Sequence, residues 1–249
     1  MRVRLLDVTL GDPCSNLAAE EAIFKLMRAP TVRLWDNQKS VVIGRAQLAE
    51  LETDVSYCEQ EGIPVVRRFT AGGTVYNGPG NLNWSFFVPR KVEDGAIRYS
   101  RDAKGIFSTF AGLIVKALGC CSVEASFEPP NRIVCAEGKV SGMAAYISNT
   151  GAVCHGTLLT HADLAEVARL TTPKGASAQR RYPRSNVARV ANVGVDRGKF
   201  VEKLLDTTEA DCEEAPLERD ELALTLKLER ERYRRESWNL GDPFELDYA

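Results

Sequence analysis

The order of strand-like and helical segments predicts an α+β fold with a mixed, largely antiparallel sheet and flanking helices. Strand-like runs follow one another directly at residues 31–35 and 40–44, and again at 131–135, 139–147 and 152–159. The helical periodicities at 16–27, at 100–118 and toward the C-terminus do not alternate one-for-one with those runs, as a doubly wound parallel sheet requires. Finally, 249 residues that are 44% hydrophobic can bury one large core without disulfide staples.

Each element has a local cause. Ser15 or Asn16 offers an N-cap, and Ala19, Ala22, Ile23, Leu26 and Met27 then recur on one helical face until Pro30. Residues 31–35 and 40–44 read as strands joined by the polar turn Asp36-Asn37-Gln38-Lys39. Thr53 caps a short helix that stops at Gly62, and residues 63–69 form a strand. Leu82, Trp84, Phe86 and Val88 alternate with Asn83, Ser85 and Phe87, which gives a strand with one strongly apolar face. Ile106, Phe107, Phe110, Leu113, Ile114 and Ala117 fall at helical spacing within 100–118. Glu128-Pro129-Pro130 marks a loop, because proline removes a helical donor. Three strands follow at 131–135, 139–147 and 152–159, then a helix over 162–170. Residues 171–186, rich in Lys, Arg, Ser and Pro, read as a mobile surface segment. Residues 200–205 and 221–236 read as helices, the second densely charged and therefore a solvated face. Together these form one expected domain over 1–249, with a helical C-terminal extension from about residue 196.

Composition excludes several classes. Thirty-two Lys and Arg against 34 Asp and Glu give a net charge of −2, with no basic excess for nucleic acid. No apolar run reaches ~18 residues, so no membrane span is expected. The first six residues are interrupted too soon by Asp7 to act as a signal peptide. Seven cysteines, an odd number without a C-x-x-C pair, fit a reducing cytoplasm rather than a disulfide framework. Two histidines are too few for a His-rich metal site, and no metal ligands are assigned.

Three segments carry chemistry. In Arg67-Arg68-Phe69-Thr70-Ala71-Gly72-Gly73-Thr74-Val75-Tyr76 two arginines stand beside a glycine pair. Glycines let backbone N–H groups close on a ligand, and a guanidinium adds a bidentate fork for phosphate or carboxylate. The same pair also reads as a plain hairpin turn. In Glu137-Gly138-Lys139-Val140-Ser141-Gly142 a lysine opens an apolar strand between glycines. Its ammonium either points to solvent or enters a site where it neutralises rearranging phosphate charge. His155 lies in the apolar run Val153-Cys154-His155-Gly156-Thr157, as a core histidine or a pocket wall.

In this order the three segments resemble the lipoate–protein ligase family, within the biotin and lipoate attachment superfamily. Supporting stretches are Asn16-Leu17-Ala18-Ala19-Glu20-Glu21-Ala22, Trp35-Asp36-Asn37 with Val41-Val42-Ile43-Gly44-Arg45, Gly80-Asn81-Leu82-Asn83-Trp84-Ser85, and Ser237-Trp238-Asn239-Leu240-Gly241. The resemblance covers residues 5–241 and implies a fold like the catalytic domain of class II synthetases. It implies an ATP-dependent reaction with Mg2+, in which lipoate becomes lipoyl-adenylate and the lipoyl group passes to a lysine. The acceptors implied are lipoyl domains of 2-oxoacid dehydrogenase E2 or the glycine cleavage H protein. By motif position Arg68 would hold adenylate phosphate. Gly72, Gly73, Thr74, Val75 and Tyr76 would wrap the mixed anhydride, Lys139 would bridge acyl carbonyl and phosphate, and His155 would line the pocket.

Four features depart from the family pattern. Ala71 replaces a first glycine, Asn77-Gly78 replaces His-Asp, and Arg132 replaces the usual aspartate before the lysine. Arg132 reverses a charge, pointing to a phosphate contact or to altered metal use. The chain also stops eight residues after Gly241, which suggests a split ligase with a separate accessory subunit; Trp238, Phe244 and Tyr248 would offer it a docking patch. Two rival functions remain. One is an octanoyl or lipoyl acyltransferase using a cysteine thioester, whose cysteine position holds Ser126 here, with Cys135 and Cys154 on strands. The other is a catalytically silent homologue that binds acceptor domains. A biotin ligase is disfavoured because its Gly-Arg-Gly-Arg-type loop is missing.

Overall fold

The computed structural model describes residues 2–90, 102–172 and 181–246. The chain opens with β1 (Arg2–Asp7), α1 (Pro13–Leu26), β2 (Thr31–Trp35) and β3 (Ser40–Ile43). Short helices α2 (Ala49–Glu52) and α3 (Val55–Gln60) lead into β4 (Val65–Arg67), β5 (Val75–Asn77) and β6 (Asn81–Pro89). After α4 (Ala103–Cys120) come β7 (Ser126–Glu128), β8 (Arg132–Cys135), β9 (Gly138–Ile147) and β10 (Gly151–Leu159). The rest is α5 (Leu164–Leu170), α6 (Arg197–Thr207), β11 (Asp211–Glu214), α7 (Arg219–Leu228), a π-helical turn (Glu229–Tyr233) and α8 (Glu236–Leu240).

Eight strands form one sheet in the order β11-β1-β2-β6-β10-β9-β8-β7, and β4-β3-β5 form a second. β1 pairs in parallel with β2 and β11, while β2, β6, β10, β9, β8 and β7 run antiparallel in turn. The fold is the mixed, largely antiparallel α+β architecture that the sequence predicts.

Both faces of the large sheet are covered. On one face α4 and α6 meet Trp84, Phe86, Ile133 and Val140, with Phe86 and Phe110 stacked at 4.8 Å. On the other α1 packs Ala19, Ile23 and Phe24 against Leu6, Phe87 and Val153. Every residue of β6 is buried, so its second face is closed too, and the half that carries Asn83 and Ser85 faces the site. α4 is long and apolar enough to cross a membrane by composition, but Ile106, Phe110, Ile114 and Leu118 are wholly buried in this core.

Several boundaries differ from the sequence reading for one reason: aspartates, not the neighbouring Ser or Thr, cap the helices. The Asp12, Asp54 and Asp102 carboxylates accept from Ser15 N, Tyr57 N and Gly105 N. A helix start at residue 100 lies outside the described residues. The predicted helix over 221–236 runs from α7 directly into the π-helical turn and stops at Tyr233, and α8 begins at Glu236. Strands β1, β7 and β11 escape sequence reading. β11 is acidic and mostly exposed, and it joins the sheet through its register with β1, where Arg2 pairs with Asp211 and Glu213. Trp238 is 4% exposed against Tyr233, with its indole N–H on Arg67 O at 2.9 Å, so it is core and not a docking surface. Phe244 is exposed; Tyr248 lies outside the described residues.

Candidate active site

A cavity of about 160 Å³ opens between the glycine loop and the centre of the large sheet. Its walls include Arg68, Gly73, Thr74 and Val75 from the loop, Lys139 and Met143 from β9, and His155 from β10. A smaller cavity of about 50 Å³ lies beside it, walled by Tyr76, Ser141, Leu159 and Val190. Lys139, Thr74, Val75, Gly142 and Thr157 line both. The three segments singled out in the sequence therefore meet in one place.

The two arginines of the loop part company. Successive residues on a strand point to opposite sides. Arg67 turns away from the cavity and is fully buried, donating to the carbonyls of Trp238 at 2.7 Å, Gln47 at 2.5 Å, Arg45 at 3.0 Å and Gly241 at 2.9 Å. It is a tie between the loop's root and α8. Arg68 turns inward. Its guanidinium donates to Ala71 O at 2.7 Å, Gly73 O at 2.8 Å and Thr70 Oγ1 at 3.0 Å, so it holds the loop's curvature from within the cavity wall. Burial pushes it down to about 10, against the pull of Glu20. Gly72 sits at φ +100°, and a Cβ there would stand 2.8 Å from Arg68 Nη2, so only glycine lets the loop close over the arginine.

Lys139 is the second residue of β9, paired with Val134 of β8. A Cβ on Gly142 would lie 2.7 Å from its Nζ, so the ammonium rests on the bare backbone of that glycine. Among the described residues no ion pair holds it. Burial lowers its pKa below the ordinary lysine value, helped by Arg132 and Arg68.

The inner wall has a polar chain that sequence reading missed. Glu20 of α1 is wholly buried, accepts from the Ser85 hydroxyl and meets His155 Nδ1 at 2.9 Å. His155 Nε2 shares a hydrogen bond of 2.7 Å with Thr70 Oγ1, which takes the Arg68 Nε bond. Burial opposes ionisation of Glu20, but His155, Ser85 and Arg33 outweigh it and hold the carboxyl below its ordinary range. Leu17, Trp35, Val42 and Met143 add apolar wall around this chain. Two further buried donors, Asn83 Nδ2 in the larger cavity and Ser141 Oγ in the smaller, have no hydrogen-bond partner among the described residues. Such orphans mark places for a ligand's polar atoms.

The described end of the segment read as mobile, at Arg184, Ser185 and Asn186, also enters the site. Arg184 reaches the buried Glu52 at 2.9 Å and Leu51 O at 2.6 Å; Ser185 Oγ accepts from Thr74 N at 2.7 Å. Both residues line the larger cavity, and Glu52 ties them to Thr74 Oγ1 at 3.2 Å. Residues 173–180 lie outside the described residues. Tyr76 is buried in the core beside Val41 and Leu159, touching the smaller cavity only. No cysteine lines either cavity: Ser126 is exposed on β7, Cys135 bonds Gly138 O at 3.5 Å, and Cys154 is fully buried with its thiol pKa raised by burial.

A loop wrapped on a buried arginine, with a lysine ammonium at the junction of two cavities, defines a domain that can hold an acid beside a phosphate-bearing ligand. The chain belongs to the lipoyl protein ligase A/B catalytic domain family, whose sequence model matches residues 12–206. It is 29% identical to lipoate-protein ligase A subunit 1 of Thermoplasma acidophilum over 96% of each chain. The same organism's bi-partite lipoate protein ligase, described with its E2 lipoyl domain, superposes with a TM-score of 0.84 at 27% identity over the whole of both chains. Two further solved structures cover 97% of this chain and 99% of their own at a TM-score of 0.82. One is the T. acidophilum protein with bound lipoic acid, at 28% identity, and the other a lipoate-protein ligase A bound with ATP, at 27%.

Proposed function

We propose that this chain is the catalytic subunit of an ATP-dependent lipoate–protein ligase. The observation that carries the reading is Lys139, which lines both cavities and has no carboxylate partner among the described residues. A cation in that position can serve an acid on one side and a nucleotide on the other. The acid's tail would lie along Leu17, Trp35, Val42 and Met143, the nucleoside would extend past Thr74 toward Ser141, and the phosphates would stay in the larger cavity beside Lys139. The carboxylate oxygen then bonds to the α-phosphorus while pyrophosphate leaves with the electron pair. Lys139 offsets the charge shared by the carboxylate and phosphate oxygens. In the second half-reaction a lysine amine of a lipoyl domain attacks the acyl carbonyl and AMP departs. Arg68 would act by shaping the loop, with Gly73, Thr74 and Val75 as its inner surface and Gly72 at its bend, and His155 with Glu20 would form the polar end of the pocket. A separate accessory subunit and a cytoplasmic location complete the reading; E2 lipoyl domains and the glycine cleavage H protein are the acceptors it names.

Magnesium is expected to arrive with the nucleotide, because the donors here do not fit a protein-held ion. Glu20 is the sole carboxylate among the described residues lining either cavity, and Ser85 and His155 use it. The described residues contain no group of three His, Cys, Asp or Glu side chains placed for a metal.

The test is radiolabelled lipoate with a lipoyl domain, with and without ATP and a candidate accessory polypeptide. Label should reach the acceptor only with ATP. Transfer from a lipoyl or octanoyl thioester without ATP would make the chain an acyltransferase instead.

A further inference from the structure

Arg132 occupies a position strongly constrained by the sheet. It stands on β8 directly opposite Gly142 of β9, the glycine on which the Lys139 ammonium rests. The sheet register therefore places a guanidinium-bearing residue one strand away from the central ammonium, and both side chains line the larger cavity. On its other side Arg132 pairs with Glu128, its cross-strand partner on β7. That pair is open to water, with side chains 33% and 44% exposed, and such exposed pairs hold weakly. The cationic side of the cavity thus has one half-buried cation with no ion pair among the described residues and a second whose counterion is easily exchanged. Burial first, and then the repulsion of Arg132, lowers the lysine's pKa, and a polyanion between the two cations would relieve that repulsion.

We propose that Arg132 leaves Glu128 to grip the β- and γ-phosphates of the bound nucleotide, supplying the neutralisation that a protein-held divalent cation would otherwise give. The inference rests on the ligase reading above. In the adenylation step the bond between the α-phosphorus and the bridging oxygen breaks, and that oxygen carries the electron pair away on pyrophosphate. Arg132 stabilises the charge that accumulates there, while Lys139 serves the α-phosphate and the acyl oxygen. A planar guanidinium suits this task because its paired N–H groups match two phosphate oxygens at once. A guanidinium at Arg132 and the single carboxylate among the described residues lining the cavities fit one arrangement, in which side-chain cations meet the phosphates.

Calorimetric titration of the full chain with ATP and with AMP, each in Mg2+ and in EDTA, separates the possibilities. Wild type should bind ATP in EDTA within about threefold of its affinity in Mg2+. Arg132→Ala should weaken ATP binding in EDTA about tenfold or more, the loss of one charge-assisted contact, and leave AMP within about threefold. Arg132→Asp should make ATP binding depend on Mg2+. Glu128→Gln, which releases Arg132 without removing it, should tighten ATP binding and leave AMP unchanged; this arm stands even if an Arg132 variant unfolds. Unaltered ATP affinity in folded Arg132 variants, or no gain in Glu128→Gln, would overturn the inference while the ligase reading stood. Failure of wild type to bind ATP in either medium would overturn both.

Discussion

Replacing Arg67 by methionine removes every donor of a fully buried guanidinium while keeping an apolar stem of similar reach. Four carbonyls at 2.5–3.0 Å, those of Gln47, Trp238, Gly241 and Arg45, then lose their partner. The backbone bonds from Arg67 N to Asn239 Oδ1 and from the Trp238 indole to Arg67 O, both at 2.9 Å, survive the substitution. At about 1 kcal/mol for each carbonyl left dry, the loss is about 4 kcal/mol. For a chain of this size that lowers Tm by about 8–16 °C. Arg67→Lys, with one point charge for four acceptors, should fall between wild type and methionine. Differential scanning calorimetry and urea unfolding at pH 7 give both quantities. The stabilisation produced by a saturating lipoyl-adenylate analogue should persist in Arg67→Met, because Arg67 faces away from the ligand. A loss below about 1 kcal/mol, or disappearance of the ligand-induced shift, would refute the assignment of Arg67 as a tie and return it to the binding site.

Three other outcomes follow from the site. Gly142→Ala places a methyl 2.7 Å from the Lys139 ammonium, so lipoylation should fall about tenfold or more with little change in Tm; unchanged turnover would remove Gly142 as the seat of the lysine. Glu20 is held ionised below its ordinary range, so its contribution to stability is complete above the unfolded value of about 4.3 and is lost as pH falls through the lower folded value. A plot of Tm against pH should thus lose more on acidification below pH ~5 for wild type than for Glu20→Gln, and parallel curves would contradict the ionised Glu20–His155 pairing. Cys135→Ala and Cys154→Ala should each retain ATP-dependent lipoylation, and an acyl thioester trapped on either residue would contradict the ligase chemistry.

Much of this site was legible because its parts are local. The glycine loop, the Gly-Lys-x-x-Gly strand and the His-Gly strand each announce themselves within a few residues. Their convergence follows once they lie on one sheet with the loop beside it. What escaped depends on distant partners. Glu20 reads as one more charge on an amphipathic helix, and it is buried only because Ser85 and His155 stand across from it. Arg184 and Ser185 lie in a stretch whose composition reads as solvent-exposed loop, yet Glu52 and Thr74 pin them into the wall. The split between Arg67 and Arg68 was available in principle, since strand alternation lets only one of two adjacent side chains face a cavity. β11 could not be read from its acidic sequence, because its place is set by pairing with β1 some 200 residues earlier in the chain, as in the register Arg2 to Asp211.

Lys139 is where the two proposed ligands meet, and one measurement isolates it. Lys139→Ala is supplied with pre-made lipoyl-adenylate and a lipoyl domain, so that ATP binding and activation play no part, and transfer is followed in single turnover. The variant should fold with a Tm close to wild type, since the lysine is half-buried and forms no ion pair among the described residues. Transfer should fall by about 10²–10³-fold, the scale of removing one preorganised charge from a developing oxyanion. Transfer within tenfold of wild type would contradict the role given to Lys139 at the junction of the two cavities.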